Sequence, residues 1–258
     1  FYALFLILAV RVFTLGNASA GYRYLFVPDW SALLQVKTWV YALGQAFFSL
    51  SLAGTGTVVY GSYLREDQDI PASARTIALF DTLAALLAAL VIIPAVFAYG
   101  LDPASGPPLM FITMPTVFQQ MPGGSVFMIV FFVAVLLAAL TSLVNLFETP
   151  IEALQTYFGL GRKPAVGIVA AVSAAVGVCI EGIVSSWMDV CSIYLCPLGA
   201  LMAAVMLFWV CGSKYAREHA QRGAARPLGK WFEPAGKYVF CGVTLLVLVL
   251  GILYGGIG

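Results

Sequence analysis

A few polar side chains stand where the surrounding sequence is almost wholly apolar, and their types limit the chemistry they can do. Asp81 lies ten residues past Pro71, about 15 Å along a helix. That is near the middle of an apolar layer about 30 Å thick. A carboxylate at such a depth is costly, so it either faces an ion or a wet cavity, or it is a neutral, hydrogen-bonded acid. Thr141 and Ser142 are adjacent hydroxyls in another apolar run. Such hydroxyls usually bond back to their own helix. Together with freed backbone carbonyls they also supply the neutral oxygens that a hard cation such as sodium requires. Asp189 begins a further apolar run, as a gate charge or a solvated helix-start acid.

Enzyme chemistry finds no foothold. The single histidine, His219, lies among charges in a polar loop, so neither a Ser-His-Asp triad nor a metal-hydrolase site can be assembled. Gly54-Thr55-Gly56 follows no strand and matches neither the P-loop nor the dinucleotide-binding spacing. The five cysteines form no CxxC pair and read as small hydrophobes in apolar runs. A net charge of +1 carries no basic stripe for nucleic acid.

The elements holding these residues must sit in lipid. The chain is 62% hydrophobic and 10% charged, with a mean hydropathy of +0.97. Soluble domains carry about 25% charged residues. The apolar runs predict seven spanning helices, at roughly 1–15, 38–63, 74–99, 124–157, 164–182, 187–211 and 234–256. Loops 64–75, 158–163 and 212–233 fall on one side by alternation and hold most of the basic residues, among them Arg65, Arg75, Arg162, Lys163, Lys214, Arg217, Arg222, Arg226 and Lys230. The positive-inside rule puts them in the cytoplasm. A multi-pass protein of the plasma (inner) membrane is expected, with the end of the chain outside.

Two segments resist a plain helix. Ser49 to Thr57 packs hydroxyls and glycines into the centre of the second span. Either the helix breaks there, a recurring site device of membrane carriers, or small residues allow close helix packing. The outer loop 100–123 holds five prolines. Its centre, Leu109 to Gln120, reads as short helices over the outer mouth or as an irregular surface loop. Phe1 already lies inside an apolar run, with no methionine start or signal pattern before it. A chain lacking N-terminal helices is the expectation.

Four stretches, in order, resemble the neurotransmitter:sodium symporters. Gln45-Ala46-Phe47-Phe48-Ser49-Leu50-Ser51-Leu52, followed by Tyr60-Gly61-Ser62-Tyr63-Leu64-Arg65-Glu66-Asp67-Gln68-Asp69-Ile70, is similar to that family's sixth helix and following loop. Phe111-Ile112-Thr113-Met114-Pro115 resembles its outer lid, Ala138-Ala139-Leu140-Thr141-Ser142 its eighth helix, and Met188-Asp189 the start of its tenth. The resemblance implies an all-α integral membrane protein with the leucine-transporter-type inverted-repeat fold. Residues 1–258 would be a single transmembrane domain fragment holding helices five to eleven and a complete second repeat. The first four helices would be missing and would be partners of this part.

The resemblance also implies a site. Phe48 matches the aromatic lid over the substrate, Ser51 a substrate contact in the unwound stretch, and Ser49 a ligand of the first sodium site and part of the substrate pocket. Asp81 stands where relatives often place an asparagine ligand of that sodium. Ala138 through its carbonyl, Thr141 and Ser142 match the second sodium site, with Ser142 also beside the substrate. Asp189 matches an outer gate and Tyr63 an inner one. Three positions depart from the pattern. Gly54 stands where relatives often carry a bulky side chain, which leaves substrate size open. Thr156 replaces an acid at the inner end of the eighth helix. Ala85 replaces the serine that holds chloride in some relatives, so chloride is not expected to be required. The function implied is sodium-coupled symport of an amino acid or similar small zwitterion by alternating access. The rival is a non-transporting membrane sensor or accessory subunit on the same fold.

Overall fold

The computed structural model describes residues 1–52, 56–103 and 108–254. Among them every regular element is helical. In chain order these are α1 (Tyr2–Phe13), α2 (Ser19–Phe26), α3 (Val36–Ser49), α4 (Gly56–Tyr63), α5 (Ile70–Ala98), α6 (Met114–Gln120), α7 (Gly124–Phe158), α8 (Arg162–Cys179), α9 (Val184–Asp189), α10 (Cys196–Val205), α11 (Ser213–Ala220), the single turn α12 (Phe232–Pro234) and α13 (Cys241–Tyr254). π-helical turns at Val190–Leu195, Met206–Val210 and Ala235–Phe240 join α9 to α10, extend α10, and join α12 to α13. Among the described residues, five helical runs are long and apolar enough to cross a bilayer: Ile70–Ala98, Gly124–Phe158, Arg162–Cys179, Glu181–Val210 and Phe232–Leu253. In the stretch 38–63, where the sequence left a broken helix and close packing open, α3 ends at Ser49 and α4 runs from Gly56 to Tyr63.

The chain forms two compact units. The first comprises Phe1–Ala32 and Phe80–Val144. Its core takes Phe5, Leu8 and Val12 from one face of α1, with Val91, Ala95 and Val96 from α5, Met114, Val117 and Phe118 from α6, and Phe131 and Ala134 from α7. The spacing i, i+3, i+7 on α1 is the stripe expected of a helix with one packed face. Phe131 centres the cluster, with ring centroids 5.8 Å from Phe5 and 5.4 Å from Phe118. Pro94 lies inside α5 and cannot bond the carbonyl one turn back. Gly21 of α2 packs onto it so closely that a Cβ at 21 would collide with the Pro94 backbone. Tyr2 donates a 2.5 Å hydrogen bond to the Phe80 carbonyl, tying α1 to α5 beside Asp81.

The second unit comprises Leu33–Leu79 and Asn145–Gly258. Phe47 of α3 is buried against Ala200 of α10 and Val247 of α13. Ile151 of α7 packs on Ala165 and Val169 of α8. The polar loop after α4 is fastened to the loop after α11. The Asp69 carboxylate accepts from the Ala72 and Ala225 amides, both at 2.9 Å or less, and Arg222 approaches Glu66 at 3.8 Å. The two amides, with Arg75 adding to them, hold the Asp69 carboxyl below its ordinary value.

Candidate functional site

The end of α3 has a defined geometry. There, the Leu50 amide donates to Ala46 at 3.0 Å, Ser51 to Phe48 at 3.1 Å and Leu52 to Phe47 at 3.0 Å. The last two form the paired bonds of a Schellman motif, and Leu52 joins Phe47 in one apolar cluster, the contact that usually accompanies it. Such a motif needs a left-handed residue, normally glycine. Here Ser51 fills that place, with φ +52°, the one non-glycine residue at positive φ among the described residues. The conformation costs about 1–2 kcal/mol. The chain stops this helix at a serine; Ser49 and Ser51 are exposed and Phe48 is 43% exposed, while Phe47 is buried. Gly54 lies outside the described residues.

On α7, the Thr141 hydroxyl donates to the Ala138 carbonyl at 2.8 Å. The bond is the local one expected of a threonine in a membrane helix. It also brings two oxygens together, each with lone pairs to spare. Ser142 and Ala138 line a cavity of about 330 Å³ in the first unit, otherwise walled by apolar side chains such as Phe5, Ile92 and Phe131. Neutral carbonyl and hydroxyl oxygens suit a hard monovalent cation. Among the described residues, no group of three or more His, Cys, Asp or Glu side chains gathers to hold a metal. Asp81 is half-buried on α5 in this same unit, whereas Phe48, Ser49, Ser51, Tyr63 and Asp189 belong to the second. Asp189 ends α9 within the helical run Glu181–Val210, so it lies inside that run and not at its start.

Around Tyr63 the structure assembles more than the sequence suggested. Its hydroxyl lies 3.1 Å from Glu148 and 3.1 Å from Glu152. Glu148 is only 7% exposed and takes a bidentate grip from Arg162, at 2.9 and 2.8 Å. Thr156 donates to Glu152 at 3.1 Å. The residue standing in place of the expected acid thus orients another acid one turn earlier. Gly56, the first residue of α4, lies near Thr149 of α7, where an added Cβ would stand 3.3 Å from the threonine hydroxyl oxygen. Glu148, Glu152 and Arg162 were missed from sequence. The available signal was a Glu-x-x-x-Glu pair within a long apolar helix, a spacing that puts both carboxylates on one face.

Residues 1–254 match the model of the sodium:neurotransmitter symporter family. The chain belongs to the sodium:neurotransmitter symporter family. Among relatives of this family, a sodium-dependent transporter of Methanocaldococcus jannaschii is 30% identical over 244 residues, 89% of this chain and 50% of that protein. The sodium-dependent transporter YhdH of Bacillus subtilis is 45% identical over 147 residues, 57% of this chain and 32% of YhdH. The crystal structure of MhsT in complex with L-phenylalanine superposes with a TM-score of 0.85 at 31% identity, covering 96% of this chain and 59% of MhsT. The chain spans half or less of the length of these two relatives. As a symporter-family member it is an all-α, multi-pass membrane protein with the leucine-transporter-type fold.

Proposed function

We propose that the protein couples inward sodium flow to the uptake of an amino acid by alternating access, and that this chain is part of its single transmembrane domain. The observation that carries the reading is the stop of α3 at Ser49–Leu52. Within an apolar stretch, α3 ends in a Schellman turn closed by the left-handed Ser51, where backbone groups leave the helical pattern. In lipid that is tolerable only where they line a cavity or bind something, and midplane breaks are where secondary transporters hold their cargo. Family membership supports sodium as the coupling ion, and the L-phenylalanine held by MhsT supports an amino acid as substrate.

Each residue then has a role. Phe48, Ser49, Ser51 and Gly54 contact substrate, joined by Ser142. Ser49 and Asp81 ligate one sodium. The Ala138 carbonyl with Thr141 and Ser142 ligates a second, whose binding favours the outward-open state through its differential affinity. Asp189 serves the outer gate. Tyr63, joined to Glu148 and Arg162, closes the inner one. Asp81 supplies a fixed negative charge, so chloride is not required. The remaining helices of the full-length protein complete the site. A thermal-stability screen of the full-length protein tests this. An amino acid and sodium together should raise Tm where neither alone does, by the equivalent of about 2.7 kcal/mol at a hundredfold excess over Kd. No shift with any amino acid would reject the reading.

A further inference from the structure

A charge inside the apolar run of a spanning helix has a partner or reaches toward the headgroups. Lys237 is such a charge. It lies about one turn inside the run Phe232–Leu253, and no ion pair among the described residues includes it. The neighbouring Lys214 and Arg217 each face a glutamate, Glu218 at 3.9 Å and Glu233 at 3.1 Å. What surrounds Lys237 is aromatic. Its ammonium stands 4.5 Å from the centre of the Trp209 ring and 5.9 Å from that of Tyr238. The two rings meet edge to face at 5.9 Å, and the Trp209 indole N–H donates to the Lys237 carbonyl at 3.2 Å.

Gly236 makes this arrangement possible. A Cβ there would fall into the Phe208 ring, so buried Phe208 seats on residue 236 while Trp209 turns out over residue 237. Trp209 and Tyr238 remain 52% and 62% exposed. Trp209 is also the last residue but one of the run Glu181–Val210. Both runs therefore end at this cluster, on the side of the basic loop 212–233. Tryptophan and tyrosine rings at such a position sit at headgroup depth.

A cation over aromatic faces is attracted but not neutralised, and its N–H donors still call for anionic oxygens. At this depth the abundant anion is a lipid phosphate. We propose that Lys237, Trp209 and Tyr238 form a site for the phosphate of an anionic phospholipid, with Lys237 donating to the phosphate oxygens and the rings packing on the glycerol and first acyl carbons. The site owes nothing to the transport reading and stands or falls without it.

The test uses the full-length protein in vesicles of phosphatidylcholine containing phosphatidylglycerol, with one or the other lipid brominated on its chains. The readout is quenching of Trp209, taken as the difference between the wild type and Trp209→Phe. Brominated phosphatidylglycerol should quench more than phosphatidylcholine at equal content. Lys237→Gln should reduce that preference by about fivefold, the effect of one basic residue near an anionic surface, and Lys237→Arg should keep it. Phosphatidylglycerol should also raise the wild-type Tm relative to pure phosphatidylcholine, a readout that does not depend on the Lys237→Gln variant folding. Equal quenching by the two lipids, or an unchanged preference in Lys237→Gln, overturns the proposal. So does loss of the preference when inorganic phosphate is added, since the site would then be one for free anions.

Discussion

Tyr63 on α4 and Glu148 on α7 meet through oxygens 3.1 Å apart, although 85 positions separate them in the chain. Arg162 fixes the far side of the same carboxylate through two bonds. The helix α4 is thus held to α7 by a charged, partly buried latch. Removing Arg162 leaves Glu148 buried with only a phenol to bond. Arg162→Gln should therefore destabilise the full-length protein by about 1–3 kcal/mol, and Tyr63→Phe by about 1 kcal/mol. A cysteine at the open position Gly61 should be labelled several-fold faster from the cytoplasmic side in either variant. Unchanged labelling would mean that the latch is not a gate.

The Thr141 and Ser142 hydroxyls should be felt through sodium. Replacing both by alanine keeps the helix and removes two oxygens. The sodium concentration for half-maximal substrate binding should rise at least about tenfold, the equivalent of 1.4 kcal/mol. An unchanged titration would leave the bond to the Ala138 carbonyl as the whole role of Thr141.

Asp69 predicts a pH dependence of the loops after α4 and α11. Its folded-state value lies below the unfolded one, held there by the Ala225 and Ala72 amides. The contribution is therefore present above the unfolded value, about 3.9, and is lost as pH falls through the lower folded value. At neutral pH, Asp69→Asn should speed hydrogen exchange at residues 222–228. Wild type and variant should converge only in acid below about pH 4. Convergence already near pH 7 would contradict the tie between Asp69 and the Ala225 amide.

If Asp81 supplies the counter-charge of a site that gathers sodium and a zwitterion, transport should ignore chloride. A low-dielectric interior needs that charge nearby, and Ala85, one turn on, offers no hydroxyl. Uptake with gluconate in place of chloride should match uptake with chloride. Asp81→Asn should fail or become anion-sensitive. Collapse of wild-type uptake without chloride would assign the counter-charge elsewhere.

Much of this was legible because lipid imposes simple rules. Apolar runs and basic loops gave a multi-pass helical protein, and four short motifs gave its family. The dense hydroxyls and glycines of Ser49–Thr57 left a broken helix and close packing equally open. No composition rule distinguishes a serine that turns left-handed from one that stays helical, so the stop at Ser51 had to be seen. The latch was hidden for a different reason. The family pattern drew attention to Thr156, whereas the working acids stand one and two turns earlier. A tyrosine eighty-five positions away leaves no trace in local spacing.

The most direct measurement is uptake of a radiolabelled amino acid, chosen by the stability screen, into proteoliposomes of the full-length protein under an imposed inward sodium gradient. Accumulation above the outside concentration is expected, abolished when potassium replaces sodium or when an ionophore dissipates the gradient. Sodium-dependent binding without accumulation would instead identify a sensor on a transporter fold, and accumulation indifferent to the sodium gradient would contradict the account outright.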